Sequence, residues 1–376
     1  MTKRVMIVFG TRPECIKLAP VVAALKARPD AFETVVCSTG QHQELVHQSI
    51  KVLDLAVDID LAVMQPSQTL ADLTSRMIAA LARTIADARP DWVVVQGDTT
   101  TALAAALAAY YARVRVAHVE AGLRSGDRFN PFPEEVNRRT IGNIADLHFA
   151  PTARAAEALG REGVPASAIH LTGNTIVDAL LGLKARLDAP GGGALVDEKI
   201  RALTASADDL ILVTCHRRES FGKDLADICG AIRRIADARP GCRVVFPVHL
   251  NPNVRAQVMP RLGGLPNVHL LEPVGYGEFV YLMSRSALVL TDSGGIQEEA
   301  PSLGVPVLVL RNKTERPENI DTGFAELAGT DEDSIVARVL GALGRKGSTP
   351  SLRDRPNPYG DGKAALRIAD ILARAS

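Results

Sequence analysis

Aromatic residues are scarce, at 4% of 376 residues with a single tryptophan. Stacking platforms for single-stranded nucleic acid need several exposed rings, so that class of binder is disfavoured, and carbohydrate-stacking surfaces are few for the same reason. Neither sign of charge is in excess, with 43 Lys+Arg against 43 Asp+Glu. A general nucleic-acid or membrane-surface binder needs a basic surplus; a local basic pocket for a small anion does not. Cysteine is sparse and odd in number: Cys15, Cys37, Cys215, Cys229 and Cys242 contain no CxxC pair. Buried reduced thiols are therefore expected rather than a disulfide framework or a zinc site. The eight histidines show no HxxxH or HxH spacing, so no metal is expected. Long apolar runs are missing too. The longest, Ala102 to Ala112, is too short to span a bilayer, and the five apolar residues Val5 to Phe9 are too few for a signal sequence. A soluble, cytoplasmic chain without nucleic-acid or membrane partners is expected.

What is present is a strict alternation. A chain of this length suggests two domains and buries a core without staples. Short apolar runs at Arg4–Phe9, Glu33–Cys37, Trp92–Gln96, Val114–His118 and Leu147–Phe149 read as strands of a first half. Leu210–Thr214, Arg243–Phe246, Val268–Leu271, Ala287–Leu290 and Pro306–Leu310 read as strands of a second. Continuous rather than alternating Val/Ile/Leu runs mark strands buried on both faces, hence parallel sheets covered by helices. Amphipathic helices lie between them, such as Leu70, Leu73, Met77, Ile78, Leu81 and Ile85. The class is α/β with two doubly wound units. Ala-Asp-Ala-Arg-Pro occurs at 86–90 and 236–240, each time as a helix end stopped by proline before a strand. Asp188 to Gly193, rich in Pro and Gly, reads as a linker.

Chemistry-bearing residues fall just past the strands, where open α/β sheets bind ligands. Thr11 and Glu14 have capping-box spacing after the first strand, with Arg12 and Lys17 near the positive end of the helix they start. This makes an anion site plausible, although on this segment alone an ordinary solvated arginine at a helix start is the favoured reading. The run Ser293-Gly294-Gly295 would let backbone N–H groups approach a phosphate, and Glu299 lies one turn on, in reach of ribose hydroxyls. It is neither GxGxxG, a Walker loop nor a GxSxG elbow, and a plain tight βα turn stays open as a reading. Asp98 and Glu120 follow two strands of one sheet, and Glu134 and Arg138 share a helix face. Each carboxylate alone reads as a cap or a solvated charge; together they supply general acids and bases. His216 and the Arg217–Arg218 pair follow a strand of the second half.

The strings FGTRPECIKLAP, TGQHQELV, VVQGDTTT, HVEAGLRSGD, PFPEEVNRR, HFAPT, LTGNTIVDAL, TCHRRESFG, PVHLNP, LLEPVGYGEFVYLM and LTDSGGIQEEAPSLGVPVLVLRNKTERPE occur in order from Phe9 to Glu318. In them the chain resembles the non-hydrolysing UDP-N-acetylglucosamine 2-epimerases. The resemblance implies a GT-B-like fold of two Rossmann-like domains with an interdomain active-site cleft. It places an N-terminal domain at 1–173, with helix 365–376 packing back on it, and a UDP-binding domain at 174–364. It implies a homodimer that interconverts UDP-GlcNAc and UDP-ManNAc without redox cofactor or metal, by eliminating UDP to 2-acetamidoglucal and adding it back, for bacterial surface polysaccharide synthesis. Carried over by motif, Asp98, Glu120 and Glu134 are the catalytic carboxylates, Arg138 orients them and His216 assists the departing diphosphate. Arg12, Lys17, Ser293, Gly294, Gly295 and Glu299 hold UDP, while Leu271, Pro273 and Phe279 frame its uracil. Some members carry a regulatory second UDP-GlcNAc, for which Gln41, His42 and Glu44 lie in the matching string. Related enzymes acting on other 2-acetamido sugar nucleotides share several of these strings. A hydrolysing relative releasing free ManNAc and UDP is a further alternative, and a sugar-nucleotide sensor without turnover is disfavoured because Asp98, Glu120, Glu134 and His216 are all present.

Overall fold

The computed structural model describes residues 2–40, 49–65, 67–205, 209–215, 222–345, 352 and 355–375. The apolar runs form β1 (Lys3–Phe9), β2 (Phe32–Ser38), β4 (Trp92–Gln96), β5 (Arg115–Val119) and β6 (Leu147–Ala150), joined by β3 (Ile59–Asp60) and β7 (Ile169–Leu171). A second set comprises β8 (Asp209–Thr214), β9 (Cys242–Pro247), β10 (Val268–Leu271), β11 (Leu288–Thr291), β12 (Val307–Val309) and β13 (Ala325–Leu327). The first sheet runs β3-β2-β1-β4-β5-β6-β7 and the second β10-β9-β8-β11-β12-β13. The paired strands are parallel in both sheets. Each order reverses beside its first strand, the doubly wound pattern whose ligand crevice opens at that reversal.

The apolar run of β1 shows why the class was legible. Val5, Ile7 and Phe9 pack into one core with the helix Arg12–Lys26, while Met6 and Val8 pack into another with Leu73, Met77, Leu81 and Ile85 of the helix Leu70–Ala88. Both faces are covered, so no residue of the run is free to be polar. Leu70 is instead exposed at that second helix's start. The strands absent from the sequence reading, β3, β7 and β13, have two or three residues and lie at sheet edges. Edge strands are partly solvated and need no apolar run to form. The repeated Ala-Asp-Ala-Arg-Pro ends helices at Ala88 and Ala238, just before β4 and β9.

The chain divides into two compact units, Met1–Ala179 with Tyr359–Ser376, and Leu180–Pro358. The last helix, Ala364–Arg374, buries Ile368, Ala369 and Leu372 in the first unit's core. Asp178 receives N–H bonds from Ala365 at 2.8 Å and Ala364 at 3.2 Å at its start. Lys3 Nζ donates to the carbonyls of Leu372 and Ala373, both at 2.8 Å, at its end. A carboxylate at the N-terminus and an ammonium at the C-terminus complement the helix dipole. The segment read as a linker is a compact helix-terminal turn: Gly192 N donates to Ala189 O at 2.8 Å, and a Cβ at Gly192 would overlap the Arg186 carbonyl. Glycine there serves close approach rather than flexibility.

All five cysteines are buried thiols, as expected. Burial pushes the thiols of Cys15 and Cys37 up to about 12, so neither is a thiolate nucleophile near neutrality. Among the described residues, no helix is long and apolar enough to cross a membrane.

Replacing Asp178 with alanine should lower unfolding stability by about 1 kcal/mol, the usual cost of removing a carboxylate that caps a helix start. Urea denaturation measures it, and Asp178→Asn should keep most of the stability.

Candidate active site

In the first unit the ligand edge is built from the loops after β1, β4 and β5. Thr11 caps the helix Arg12–Lys26 in extended backbone, with Pro13 in its first turn. Glu14 is fully buried; its Oε2 accepts N–H bonds from Thr11 at 2.8 Å and Gly10 at 3.1 Å, while Oε1 accepts the Thr99 hydroxyl at 2.5 Å. Burial raises the Glu14 carboxyl above the usual carboxylate range, and these bonds oppose the rise. Thr99 also caps the helix Thr100–Tyr111 through Ala102 N at 3.0 Å. One carboxylate thus ties together the loops on either side of the reversal point. Arg12, half-buried beside them, makes no hydrogen bond or ion pair among the described residues and remains available to an anion.

Asp98 and Glu120 stand on neighbouring loops. The Asp98 carboxylate pairs with Arg138 at 2.6 Å, and its backbone carbonyl accepts from Asn137 Nδ2 at 2.8 Å. Both partners come from the helix Glu134–Ile144. Glu120 is buried and accepts from Lys17 Nζ at 2.5 Å and from Gln96 Nε2. Its φ of +63° lies in the left-handed region, costly for a side chain of this size. Lys17, grouped with Arg12 for UDP by resemblance, reaches the Glu120 carboxylate. Its distance from Arg12 on the helix does not reveal this, because the partner lies 103 residues away. Arg138, one turn beyond Glu134, points instead to Asp98 and to the buried Glu135 at 3.5 Å. Glu135 receives the Ser125 N–H at 3.0 Å and so anchors the loop after β5. A buried oxygen of Glu134, Oε2, has no hydrogen-bond partner among the described residues. It is a carboxylate oxygen not committed to structure.

Sequence reasoning did not single out Gln96, Thr99, Glu135 or Asn137. Gln96 carried a faint signal, as the polar last residue of an apolar strand; the others look like ordinary polar positions.

The second unit builds its edge from β8, β10 and β11. Thr214 and Thr291, aligned on β8 and β11, join hydroxyls at 2.7 Å at the reversal point. Ser293 caps the helix Gly294–Glu299, and a Cβ on Gly295 would meet nothing nearer than Ser293 Oγ at 3.9 Å. Neither Gly294 nor Gly295 has positive φ, and at Gly295 a Cβ would find open space among the described residues, so glycine there supplies small size rather than a special turn. Gln297 is held by Thr314 at 2.6 Å and Glu298 by Arg316 at 2.5 Å. Glu299, on another face, accepts the Tyr276 hydroxyl at 3.3 Å. Tyr276 was not anticipated; it opens the helix Tyr276–Arg285, which also carries the half-buried Phe279. Leu271 ends β10 half-buried, and Pro273 follows it exposed. Gln41, His42, Glu44, His216, Arg217 and Arg218 lie outside the described residues. Among those described, no group of three or more His, Cys, Asp or Glu is arranged to hold a metal ion.

Two Rossmann-like units with ligand loops at the carboxyl ends of parallel strands place the chain in the GT-B-like class. The sequence profile of UDP-N-acetylglucosamine 2-epimerase matches residues 23–373. The UDP-N-acetylglucosamine 2-epimerase of Salmonella typhimurium is 48% identical over 370 residues, covering 98% of both chains. A crystal structure of UDP-GlcNAc 2-epimerase from Neisseria meningitidis bound to UDP-GlcNAc is 40% identical, with a TM-score of 0.90 over 99% of this chain and 100% of that one. The Methanocaldococcus jannaschii enzyme in complex with UDP-GlcNAc and UDP is 36% identical, with a TM-score of 0.81 over 99% and 100%. The chain belongs to the UDP-N-acetylglucosamine 2-epimerase family, and is therefore an enzyme of the isomerase class.

The Lys17–Glu120 pair makes a prediction independent of turnover. Lys17→Met should cost stability by leaving a buried carboxylate without its cation, and should cost much less in a Glu120→Gln background. A double-mutant cycle by chemical denaturation should give a coupling of roughly 1–3 kcal/mol.

Proposed function

We propose that this enzyme interconverts UDP-N-acetylglucosamine and UDP-N-acetylmannosamine by elimination and re-addition of UDP. The observation that carries the reading is the placing of Asp98 and Glu120 on neighbouring loops past β4 and β5, fastened by Arg138 and Lys17, with Glu134 opening the helix that supplies Arg138. The family relatives whose solved structures hold UDP-GlcNAc and UDP support the choice of substrate.

The chemistry dictates why several carboxylates are needed. The C2 proton of the sugar has no adjacent carbonyl to acidify it, so its removal must be coupled to departure of UDP. A base takes the proton, the C2–H electrons form the C1=C2 double bond, and the C1–O bond breaks to release UDP, leaving 2-acetamidoglucal. A second group then delivers a proton to the opposite face of C2 as the UDP oxygen rebonds to C1. Acid–base groups on both faces are required, which a single residue does not supply. Asp98, Glu120 and Glu134 fill these roles, Arg138 pairs with Asp98 and directs it, and His216 assists the diphosphate. Arg12, Lys17, Ser293, Gly294 and Gly295 hold the diphosphate and Glu299 the ribose, with Leu271, Pro273 and Phe279 against the uracil. The enzyme works as a cytoplasmic homodimer, and its product supplies surface polysaccharide synthesis.

Incubation with UDP-GlcNAc in deuterated water tests this: deuterium should appear at C2 of both epimers. Accumulation of free ManNAc and UDP would instead assign a hydrolase, and binding without exchange would assign a sensor. Asp98→Asn and Glu120→Gln should each lower kcat at least about 100-fold, as expected for loss of a general acid or base. Glu299→Ala should weaken UDP binding, measured by calorimetry, more than it slows turnover.

A further inference from the structure

We propose that His118 is a positioning residue for Asp98, acting through a hydrogen bond from its ring to the carbonyl of Gly97. The proposal rests on the function above only in taking Asp98 to act on the substrate.

His118 lies one residue before the end of β5, 1% exposed, between Val95 of β4 and His148 of β6. Its Nε2 is 2.7 Å from the oxygen of Gly97, the residue before Asp98. A carbonyl only accepts, so Nε2 carries the hydrogen and the tautomer is set. The next strand residue completes a clamp, because Gly97 N donates to Val119 O at 3.0 Å. The peptide leading into Asp98 is thus held on both sides by β5. Sterics contribute nothing there: Gly97 has φ +67°, and a Cβ on it would meet no atom within 4 Å. A glycine in open space is confined by its hydrogen bonds alone.

The other constraints on Asp98 come from a different element, the helix Glu134–Ile144, through Asn137 and Arg138. That helix draws the carboxylate through Arg138 and holds the Asp98 carbonyl through Asn137, while His118 holds the preceding peptide at Gly97. The ring suits a permanent strut. Burial lowers its pKa to about 3, with His148, Arg124 and Arg138 pushing the same way, so it stays a neutral donor across the physiological range. It is therefore not a third proton carrier beside Asp98 and Glu120, although it sits between them in sequence.

The test compares His118→Gln, whose amide reaches the place of Nε2, with His118→Phe, which keeps a ring and loses the donor. His118→Phe should lower kcat roughly 100-fold with little change in KM, the scale expected when a reacting group is displaced by about 1 Å. His118→Gln should recover most of that loss. In the parent protein, long-range 1H–15N NMR should show a protonated Nε2 and a bare Nδ1 between about pH 5 and pH 8, where an ordinary histidine titrates. Parent-like turnover in His118→Phe, equal losses in both variants, or a titrating ring would each overturn the proposal. If the parent protein exchanges no deuterium at C2, the functional reading falls. Amide exchange at Gly97 and Asp98, faster in His118→Phe than in His118→Gln, then still decides whether His118 sets this turn; equal protection overturns it.

Discussion

The first unit depends on one buried carboxyl group. Glu14 has no solvent to stabilise it, yet its two oxygens meet two backbone N–H groups and a hydroxyl. A carboxylate so placed is tolerated only because those bonds replace its lost water. In return it fastens the loop after β1 to the loop after β4 where the sheet order reverses. That junction leaves the start of the first helix, with Arg12, and the Asp98 turn in a fixed relation.

The same logic extends along the edge. Glu120 is balanced by Lys17, Glu135 by Arg138 and the backbone of the β5 loop, and Asp98 by Arg138. Such pairing is costly to assemble and more costly to break, so each partner fixes the geometry of the other. The neutral balance of the whole chain is not repeated here: Arg138 serves both Asp98 and Glu135, and Glu14 has hydrogen bonds in place of a cation. Glu134 alone of the three candidate carboxylates keeps a buried oxygen without a hydrogen bond among the described residues. The second unit works differently. Its short helix is pinned through Gln297 and Glu298, so that Ser293 and Gly295 border open space while Glu299 is steadied by Tyr276.

Much of this was legible in the chain. Ten of the thirteen strands among the described residues and their parallel arrangement follow from apolar runs covered on both faces, and the Thr11–Glu14 spacing announced a helix start. The three short edge strands were not legible, because solvated edges place little demand on residue type. Asp98, Glu120 and Glu134 could be picked out by their position after strands or at a helix start. Their partners could not: Lys17 and Glu120 are separated by most of the unit's sequence, and Asn137 and Tyr276 look like any polar or aromatic helix residue. The Pro/Gly stretch at 188–193 misled for a related reason, since glycine marks tight packing as readily as freedom.

The sequence by itself determined the class of fold and the family, and it set the candidate site residues next to strand ends. These are matters of local periodicity and of residue types next to strand ends, both encoded within a few residues. Which charge neutralises which, why Glu120 adopts a left-handed backbone, and how Gly97 is held by a neutral histidine were decided only by the tertiary structure. Ion pairing, desolvation and hydrogen-bond direction depend on distances through space, and those exist only once β1, β4 and β5 lie side by side.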